Sequence, residues 1–215
     1  MCSHFDPVLD PHKLLTHFGV SDLPAGLKNS LWPGYIGPFV RKHEHSDVGD
    51  DAVPNSELLV GSFGLIPHWA KDNKIARKTY NARFETVHEK PTFRDSWSKA
   101  RHCIIPAEAI FEPDWRSGKA KATRIVRADG KPMAIAGLWA SWKNPEDNKT
   151  LHSFTMLTIN ADDHPFMRNY HKPNDEKRML CFLHDDEFES WLSASPEESR
   201  QFLRHYPAEL MTVSN

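Results

Sequence analysis

The sequence predicts an α+β fold that forms one domain over residues 1–215. Two observations predict this class. Short apolar runs typical of strands recur along the chain, and helical patterns stand between some of them without the regular alternation of a parallel α/β fold. In addition, 39% of the 215 residues are hydrophobic, which is enough for one sizeable core, and no repeat or linker divides the chain.

Three stretches carry helix signals. Asp10 and Pro11 place a capping side chain and a proline ahead of an apolar face, so a helix should begin there. Asp185 likewise precedes apolar residues on one face and predicts a helix over 185–193. We expect a further helix over 196–206.

Strands are expected in most of the remaining chain. They are predicted at residues 35–41, 57–66, 102–106, 107–115, 123–127, 133–142, 152–160, 178–183 and 209–213. Pro38 should break the first of these strands, and Gly61 and Gly64 should bend the second. The intervening segments 22–34, 43–54, 116–121 and 162–177 are polar or rich in glycine and proline, so they are expected to be loops.

The composition excludes several classes of protein. The net charge of −2 argues against a chain that is basic throughout, so a nucleic-acid site would have to be a local patch. Cys2, Cys103 and Cys181 form no C-x-x-C pair, which indicates a reducing setting rather than a disulfide framework. The 13 histidines are scattered, so we expect no metal and no cofactor. The chain lacks a long apolar run and a signal pattern, so we expect a cytoplasmic, nucleoid-associated monomer with no membrane partner.

The N-terminus offers distinctive chemistry. The chain begins with Met1 and Cys2, and removal of Met1 would leave Cys2 with a free amine and a thiol on adjacent carbons. Such a pair can trap an aldehyde, because the amine forms an imine and the thiol then closes a five-membered thiazolidine. An α-amine with a pKa near about 8 and a thiol with one near about 8.5 are both partly deprotonated around neutral pH. The alternative is an ordinary cysteine in a frayed terminus.

One stretch differs in charge from the rest of the chain. Residues 67–102 hold nine lysine and arginine residues against four aspartate and glutamate residues. Basic groups neutralise phosphates, and aromatic faces stack unpaired bases, so this stretch is a candidate for binding nucleic acid. The aromatic residues interleaved with it are Trp69, Tyr80, Phe84, Phe93 and Trp97. The alternative is a mixed surface segment whose aromatic side chains point inward.

Several motifs now occur together in one order along the chain. They are Met1-Cys2, Gly64-Leu65-Ile66-Pro67-His68-Trp69-Ala70, Tyr80-Asn81-Ala82-Arg83-x-Glu85-Thr86, Cys103-x-x-Pro106-Ala107-x4-Glu112, and His171 ahead of Arg178-Met179. Together they resemble the SOS-response-associated peptidase (SRAP) family, the abasic-site processing proteins, from Met1 to about Leu192. The resemblance implies a single SRAP-like domain with a mixed, largely antiparallel, barrel-like sheet and flanking helices.

The resemblance also implies a reaction. Cys2, freed of Met1, would condense with the ring-opened aldehyde of an abasic site in single-stranded DNA and leave a stable thiazolidine crosslink. An AP-lyase activity through the imine and a peptidase activity that removes Met1 would accompany it, in the response to DNA damage. The partner would be single-stranded DNA that contains abasic sites.

The resemblance assigns catalytic roles to Cys2, Asn81, Glu112 and His171. Glu112 stands among apolar residues, so burial should raise its pKa and suit it to proton transfer at neutral pH. His171 would donate a proton to the sugar oxygen. His164 competes for this role, but His171 lies closer to Arg178-Met179 and is preferred. Asn81 would hold the sugar or the amine of Cys2. Without the resemblance, Glu112 would be read as a strand residue paired with arginine, and Asn81 as a turn residue.

A second group of residues would bind DNA. These are His4, Pro67, His68, Trp69, Arg77 and Arg83. Arg83 would hold a phosphate by a forked contact, and Trp69 with Pro67 and His68 would form a wedge beside the lesion. A surface ion pair for Arg83 and core packing for Trp69 are the alternatives.

The chain departs from the family pattern at several positions. Ser3 and His4 replace the usual Gly-Arg after Met-Cys, and His4 should bind phosphate more weakly than arginine at neutral pH. Phe63, Pro113 and Leu180 also differ, and six residues separate His171 from Arg178. Two other functions therefore stay open: a single-stranded DNA-binding module without the chemistry, and an N-terminal-nucleophile amidohydrolase with Cys2 as the nucleophile.

Overall fold

The computed structural model of the chain describes residues 2–46 and 52–214. Eleven strands are found there: β1 Phe5–Pro7, β2 Ile36–Lys42, β3 Ser56–Phe63, β4 Asn81–Arg83, β5 His102–Asp114, β6 Lys121–Arg127, β7 Met133–Lys143, β8 Thr150–Asn160, β9 Arg178–Leu180, β10 Phe182–Leu183 and β11 Met211–Ser214. The helices in the same residues are α1 Pro11–Phe18, α2 Arg94–Ser98 and α3 Phe188–Ser193. Short 3-10 turns cover Asn73–Lys78, Phe84–Thr86, Met167–Asn169, Asp185–Glu187, Glu198–Phe202 and Ala208–Leu210.

Five of the strands close into a barrel. β2 pairs with β3 and β5, β5 pairs with β7, and β7 pairs with β8, all antiparallel. β3 and β8 then close the ring in parallel. A ring with an odd number of strands cannot alternate direction all the way round, so at least one parallel contact is required. The predicted α+β class, with a mixed and largely antiparallel barrel, is confirmed.

Strand β5 extends beyond the barrel. Its first half, as far as Ala107, pairs with β7, and its second half, from Ile110, pairs with β6. β1 lies along the same second half, with Phe5 opposite Ile110. The end of β5 and the N-terminal segment of the chain therefore lie side by side at one end of the barrel.

Two predictions at prolines were wrong. Pro106 lies inside one continuous strand rather than between two, and Pro38 lies inside β2 opposite Val60. A proline lacks a ladder donor, so a strand tolerates it where no partner strand needs that donor. β2 pairs with β5 only at Val40, which leaves Pro38 with a ladder on one side.

Helix α1 begins where the sequence predicts. The carboxylate of Asp10 accepts hydrogen bonds from the backbone N–H groups of His12 at 2.8 Å and Lys13 at 3.4 Å. Pro11 occupies the first helical position, where its missing N–H costs nothing. Gly19 ends the helix in the left-handed region, at φ 68°.

The C-terminal predictions needed more correction. The segment 196–206 contains only a 3-10 turn, because Leu203 leaves the helical region so that Phe202 and Tyr206 both reach the core. The predicted strand over 178–183 is interrupted at Cys181, whose backbone bonds β7 and β8 instead of continuing the ladder. The predicted helix over 185–193 starts as a 3-10 turn capped by His184 rather than by Asp185.

Candidate active site

The N-terminal segment places Cys2 against the end of β5. The N–H of Phe111 donates to the carbonyl of His4 at 3.0 Å, which ties the first residues to the strand. The thiol of Cys2 is 1% exposed, with the carbonyl oxygens of His4 at 3.3 Å and Phe111 at 3.9 Å as acceptors. Burial raises the pKa of the thiol well above its ordinary value, and the nearby charge of Glu112 raises it further. Cys2 is therefore a buried thiol rather than a thiolate.

Glu112 points inward from β5 and is 2% exposed. Its Oε2 has no hydrogen-bond partner within the described chain. Because burial disfavours the charged carboxylate, the pKa of Glu112 rises from an ordinary 4.5 to about 7. The side chain can therefore gain or lose a proton near neutral pH, as the sequence context suggested.

His171 lies beside Glu112. Its Nδ1 is 3.5 Å from Oε2 of Glu112, its backbone N–H donates to the carbonyl of Pro113 at 2.9 Å, and its Nε2 bonds the carbonyl of Arg178 at 3.0 Å. Burial lowers the pKa of His171 from 6.5 to about 4, because it outweighs the hydrogen bond to the carbonyl of Arg178, which raises it. His171 is therefore a neutral imidazole at neutral pH, held at both its backbone and its ring.

The competing histidine, His164, lies elsewhere in the fold. Its Nδ1 accepts from the backbone N–H groups of Phe166 at 3.2 Å and Met167 at 3.0 Å, and its Nε2 bonds the carbonyl of Tyr206 at 2.7 Å. Both ring nitrogens are thus engaged by backbone. The structure brings His171, and not His164, to Glu112.

Asn81 joins this cluster through its neighbour Tyr80. Asn81 begins β4, its Nδ2 donates to the carbonyl of Tyr80 at 2.9 Å, and its buried Oδ1 has no hydrogen-bond partner among the described residues. The pKa of Tyr80 is raised first by burial and then by the charges of Cys2 and Glu112, so this ring lies near both. Tyr80 was not predicted as a member of the site, although the sequence offered it as the first residue of the motif around Asn81 and as one of the aromatic residues of 67–102.

The predicted DNA-binding residues are spread over more of the surface. His68 and Arg77 are exposed, Pro67 is buried, and Trp69 is 50% exposed, which excludes core packing for its ring. Arg83 donates a hydrogen bond to the carboxylate of Glu176 at 2.7 Å, so it forms the surface ion pair given above as the alternative to phosphate binding.

His4 lies in an aromatic environment that the sequence did not indicate. Its ring stacks between Trp32 and Phe111, and burial lowers its pKa below the ordinary value. A neutral, stacked ring is a poor ligand for phosphate, which weighs against the role predicted for it.

The aromatic residues of 67–102 were interpreted too broadly. Trp97 is buried, and Tyr80, Phe84 and Phe93 pack against the core. Of these five residues, Trp69 alone has an exposed ring. The other four supply the apolar surface that packs this irregular segment against the barrel.

The rest of the described chain adds two negative observations. No group of three or more histidine, cysteine, aspartate or glutamate side chains is arranged there to hold a metal ion. No helix in those residues is long and apolar enough to cross a membrane.

The fold and the cluster define a class of protein: an α+β barrel that holds a thiol, a carboxyl group and an imidazole around the second residue of its chain. The chain belongs to the SOS response associated peptidase (SRAP) family, whose family model matches residues 1–215. The predicted family is thereby confirmed.

Individual relatives agree with this assignment. The abasic site processing protein YoqW of Bacillus subtilis (strain 168) is 37% identical over 161 residues, which cover 73% of this chain and 68% of YoqW. The abasic site processing protein HMCES of Gallus gallus is 24% identical over 196 residues, covering 80% of this chain and 55% of HMCES. The crystal structure of a protein from Bordetella bronchiseptica is 42% identical, with a TM-score of 0.88 over 99% of this chain and 98% of that one.

Proposed function

We propose that this protein processes abasic sites by reacting covalently, through Cys2, with their ring-opened aldehyde in single-stranded DNA. The observation that carries the proposal is the buried thiol of Cys2 beside a carboxyl–imidazole pair, Glu112 and His171. Membership of a family with relatives named for abasic-site processing supports the choice of substrate.

The reaction needs the free amine of Cys2. The amine attacks the aldehyde carbon and one water leaves, which gives an imine. The Sγ–H then adds across the imine: sulfur bonds to carbon, the thiol proton leaves, and the nitrogen gains a proton, so the thiazolidine forms with the loss of one water overall. Because the thiol is protonated in its buried position, this second step requires a base.

Glu112 is suited to be that base. With a pKa of about 7 it is partly ionised at neutral pH and can accept the thiol proton and return one to the nitrogen. His171 supplies a second proton-transfer group, because its Nδ1 lies 3.5 Å from the carboxyl and can take a proton from Glu112 and pass it to the sugar oxygen as the ring opens. The unpartnered Oδ1 of Asn81 can accept a hydrogen bond from the amine or the sugar.

The surroundings of the cluster would hold the strand. An abasic nucleotide has no base to unstack, so little energy is needed to bring its sugar to Cys2. The flanking phosphates and bases are proposed to contact a group of residues beside the cluster: Arg77, Arg83 and the exposed Trp69, with Pro67 and His68.

Two further activities belong to the proposal. Met1 lies outside the described residues, and its removal, by the protein's own peptidase activity or by an ordinary aminopeptidase, is the condition for the reaction. The imine also permits β-elimination, so an AP-lyase activity is proposed beside the crosslink. The intact mass of the purified protein tests the first point, with the loss of one methionine as the expected result.

A denaturing gel tests the crosslink. The processed protein, incubated with abasic single-stranded DNA, should give a band that survives denaturation, and Cys2→Ala should give none. Cys103→Ala and Cys181→Ala are matched controls, because both thiols are buried in the core, and they should crosslink like wild type. Salt-sensitive binding without an adduct would instead indicate a binding module, and turnover of a small amide would indicate an amidohydrolase.

A further inference from the structure

Exposed large apolar side chains are few in the described residues, and three of them occur within one short segment. These are Trp32, Tyr35 and Ile36, with Trp32 46% exposed. Trp32 lies in the stretch 22–34, which the sequence predicted as loop, whereas Tyr35 and Ile36 begin the strand predicted over 35–41. An exposed aromatic cluster of this kind is a candidate binding surface.

The ring of Trp32 is the outer member of a three-ring stack. The imidazole of His4 lies 4.1 Å from it at an interplanar angle of 12°, and Phe111 lies 4.0 Å from His4 on the other side, also at 12°. One face of the indole is therefore covered by His4, while the exposure of the residue leaves the opposite face open. Nearly parallel rings at this spacing leave the indole as a flat, open platform.

The stack is held rigidly. Phe5 and Leu31 exchange two backbone hydrogen bonds, of 3.2 and 2.8 Å, which fix the residue before Trp32 to the N-terminal strand. Nε2 of His4 bonds Oγ of Ser30 at 2.5 Å, and that hydroxyl donates to Asp6 at 2.9 Å. A ring fixed in this way loses little entropy when a ligand stacks on it.

Positive charge accompanies the aromatic surface. The ammonium group of Lys28 lies 4.0 Å from the ring centre of Tyr35. The side chain of Arg77 packs against Gly34: a Cβ added to Gly34 would lie 3.7 Å from Cγ of Arg77. Within the described ranges neither Lys28 nor Arg77 has an ion-pair partner. Aromatic faces beside unpaired cations are the combination that binds single-stranded nucleic acid.

We propose that the open face of Trp32 stacks the base of a nucleotide adjacent to the abasic site in single-stranded DNA. This subsite rests on the proposed function. Its position supports it, because His4, which backs the indole, also accepts the hydrogen bond of the Cys2 thiol through its carbonyl, at 3.3 Å. The platform therefore adjoins the reactive group. His4 supports the platform, in place of the phosphate contact expected from the sequence.

Fluorescence of 2-aminopurine tests this subsite. The probe is single-stranded DNA with a tetrahydrofuran analogue of the abasic site, which has no aldehyde, and with 2-aminopurine at each flanking position in turn. Wild type should quench the fluorescence strongly at one flanking position. Trp32→Ala should lose that quenching and bind about 5- to 150-fold more weakly, the range expected for losing one stacked base. Trp32→Phe should retain most of both effects.

Leu15→Ala is the control, because Leu15 is an exposed apolar residue on α1 outside the site. It should quench and bind like wild type. Unchanged quenching in a folded Trp32→Ala protein, with wild type still forming the crosslink on true abasic DNA, overturns the subsite and leaves the proposed function intact. If wild type forms no crosslink but Trp32→Ala still loses the position-specific quenching, the proposed reaction fails and the subsite is upheld.

Discussion

Oε2 of Glu112 lies 3.5 Å from Nδ1 of His171, and both side chains are almost fully excluded from water. Since a carbonyl can only accept, Nε2 of His171 must donate to the carbonyl of Arg178, which leaves the lone pair of the neutral ring on Nδ1. An ionised Glu112 would then face that lone pair with a negative oxygen. The pair is best satisfied when it holds one proton, which agrees with a pKa of about 7 for Glu112.

The first prediction concerns the rate of crosslinking. If Glu112 takes the thiol proton, the wild-type rate should rise with pH through about 7, where its carboxyl ionises. Glu112→Gln should react about 10²-fold more slowly or worse and should lack that rise. Glu108→Gln is the matched control on the same strand, because its carboxylate bonds Lys13 at 2.8 Å. A Glu112→Gln protein that keeps the wild-type pH profile contradicts the role.

The second prediction concerns stability. The folded-state pKa of Glu112 is raised from 4.5 to about 7, so its favourable contribution is fully present below 4.5 and lost as the pH rises through 7. Glu112→Gln should therefore gain up to about 3 kcal/mol on wild type between pH 4.5 and pH 8. Urea denaturation of both proteins at the two pH values measures this.

The contribution of His171 to stability depends on pH in the opposite direction. Its pKa is lowered from 6.5 to about 4, so its contribution is present above 6.5 and lost as the pH falls through 4. The group is present in wild type and in Glu112→Gln alike, so most of its effect cancels in the comparison. A stability difference between the two proteins that does not grow with pH would count against the burial argument for Glu112.

Local signals predicted much of the fold and the reactivity of an N-terminal Cys2, whereas the role expected for Glu112 came from the resemblance to the SRAP family. The cap at Asp10, the strand patterns and the apolar context of Glu112 depend on neighbours in sequence. The helix expected over 196–206 did not form, because burial of Phe202 and Tyr206 overrides the local pattern.

What could not be predicted depends on contacts between distant residues. The platform at Trp32 exists because Leu31 pairs with Phe5, and the state of Arg83 depends on Glu176, which lies 93 residues away. No local pattern marks either contact. The sequence shows that His4 departs from the family pattern. That its ring is stacked rather than available to phosphate depends on Trp32 and Phe111, which enclose it.

The third prediction separates the two candidate histidines. His171 has φ 63°, a left-handed conformation that asparagine tolerates, so His171→Asn should fold and crosslink about 10²-fold more slowly. His164→Asn should lose about 1–3 kcal/mol of stability, because it disturbs hydrogen bonds to buried backbone groups, yet crosslink at the wild-type rate when folded. Thermal unfolding with single-turnover crosslinking measures both. The reverse pattern would assign the catalytic role to His164.

The fourth prediction concerns the carboxylate that occupies Arg83. Oε2 of Glu176 accepts from Arg83 at 2.7 Å, while its Oε1 accepts from Arg178 at 2.8 Å. An incoming phosphate must compete with this internal anion for Arg83. Glu176→Gln should therefore bind single-stranded DNA about 2- to 5-fold more tightly at low salt, since an exposed pair of this kind contributes up to about 1 kcal/mol. Its affinity should also fall more steeply with salt, because Arg83 adds one phosphate contact.

Glu89→Gln provides the control for this measurement. It removes the same charge from an exposed position in the basic stretch 67–102 that contains Arg83, where the Glu89 carboxylate lies 3.4 Å from Nε2 of the neighbouring His88. Losing this charge should raise the affinity for DNA by the same general electrostatic effect as in Glu176→Gln. Any additional gain in affinity in Glu176→Gln therefore reports on Arg83. Adding Arg83→Gln to Glu176→Gln should abolish the excess. If the double variant still binds as tightly as Glu176→Gln, the gain does not pass through Arg83, and the loop 172–177 does not compete with the DNA backbone for that residue.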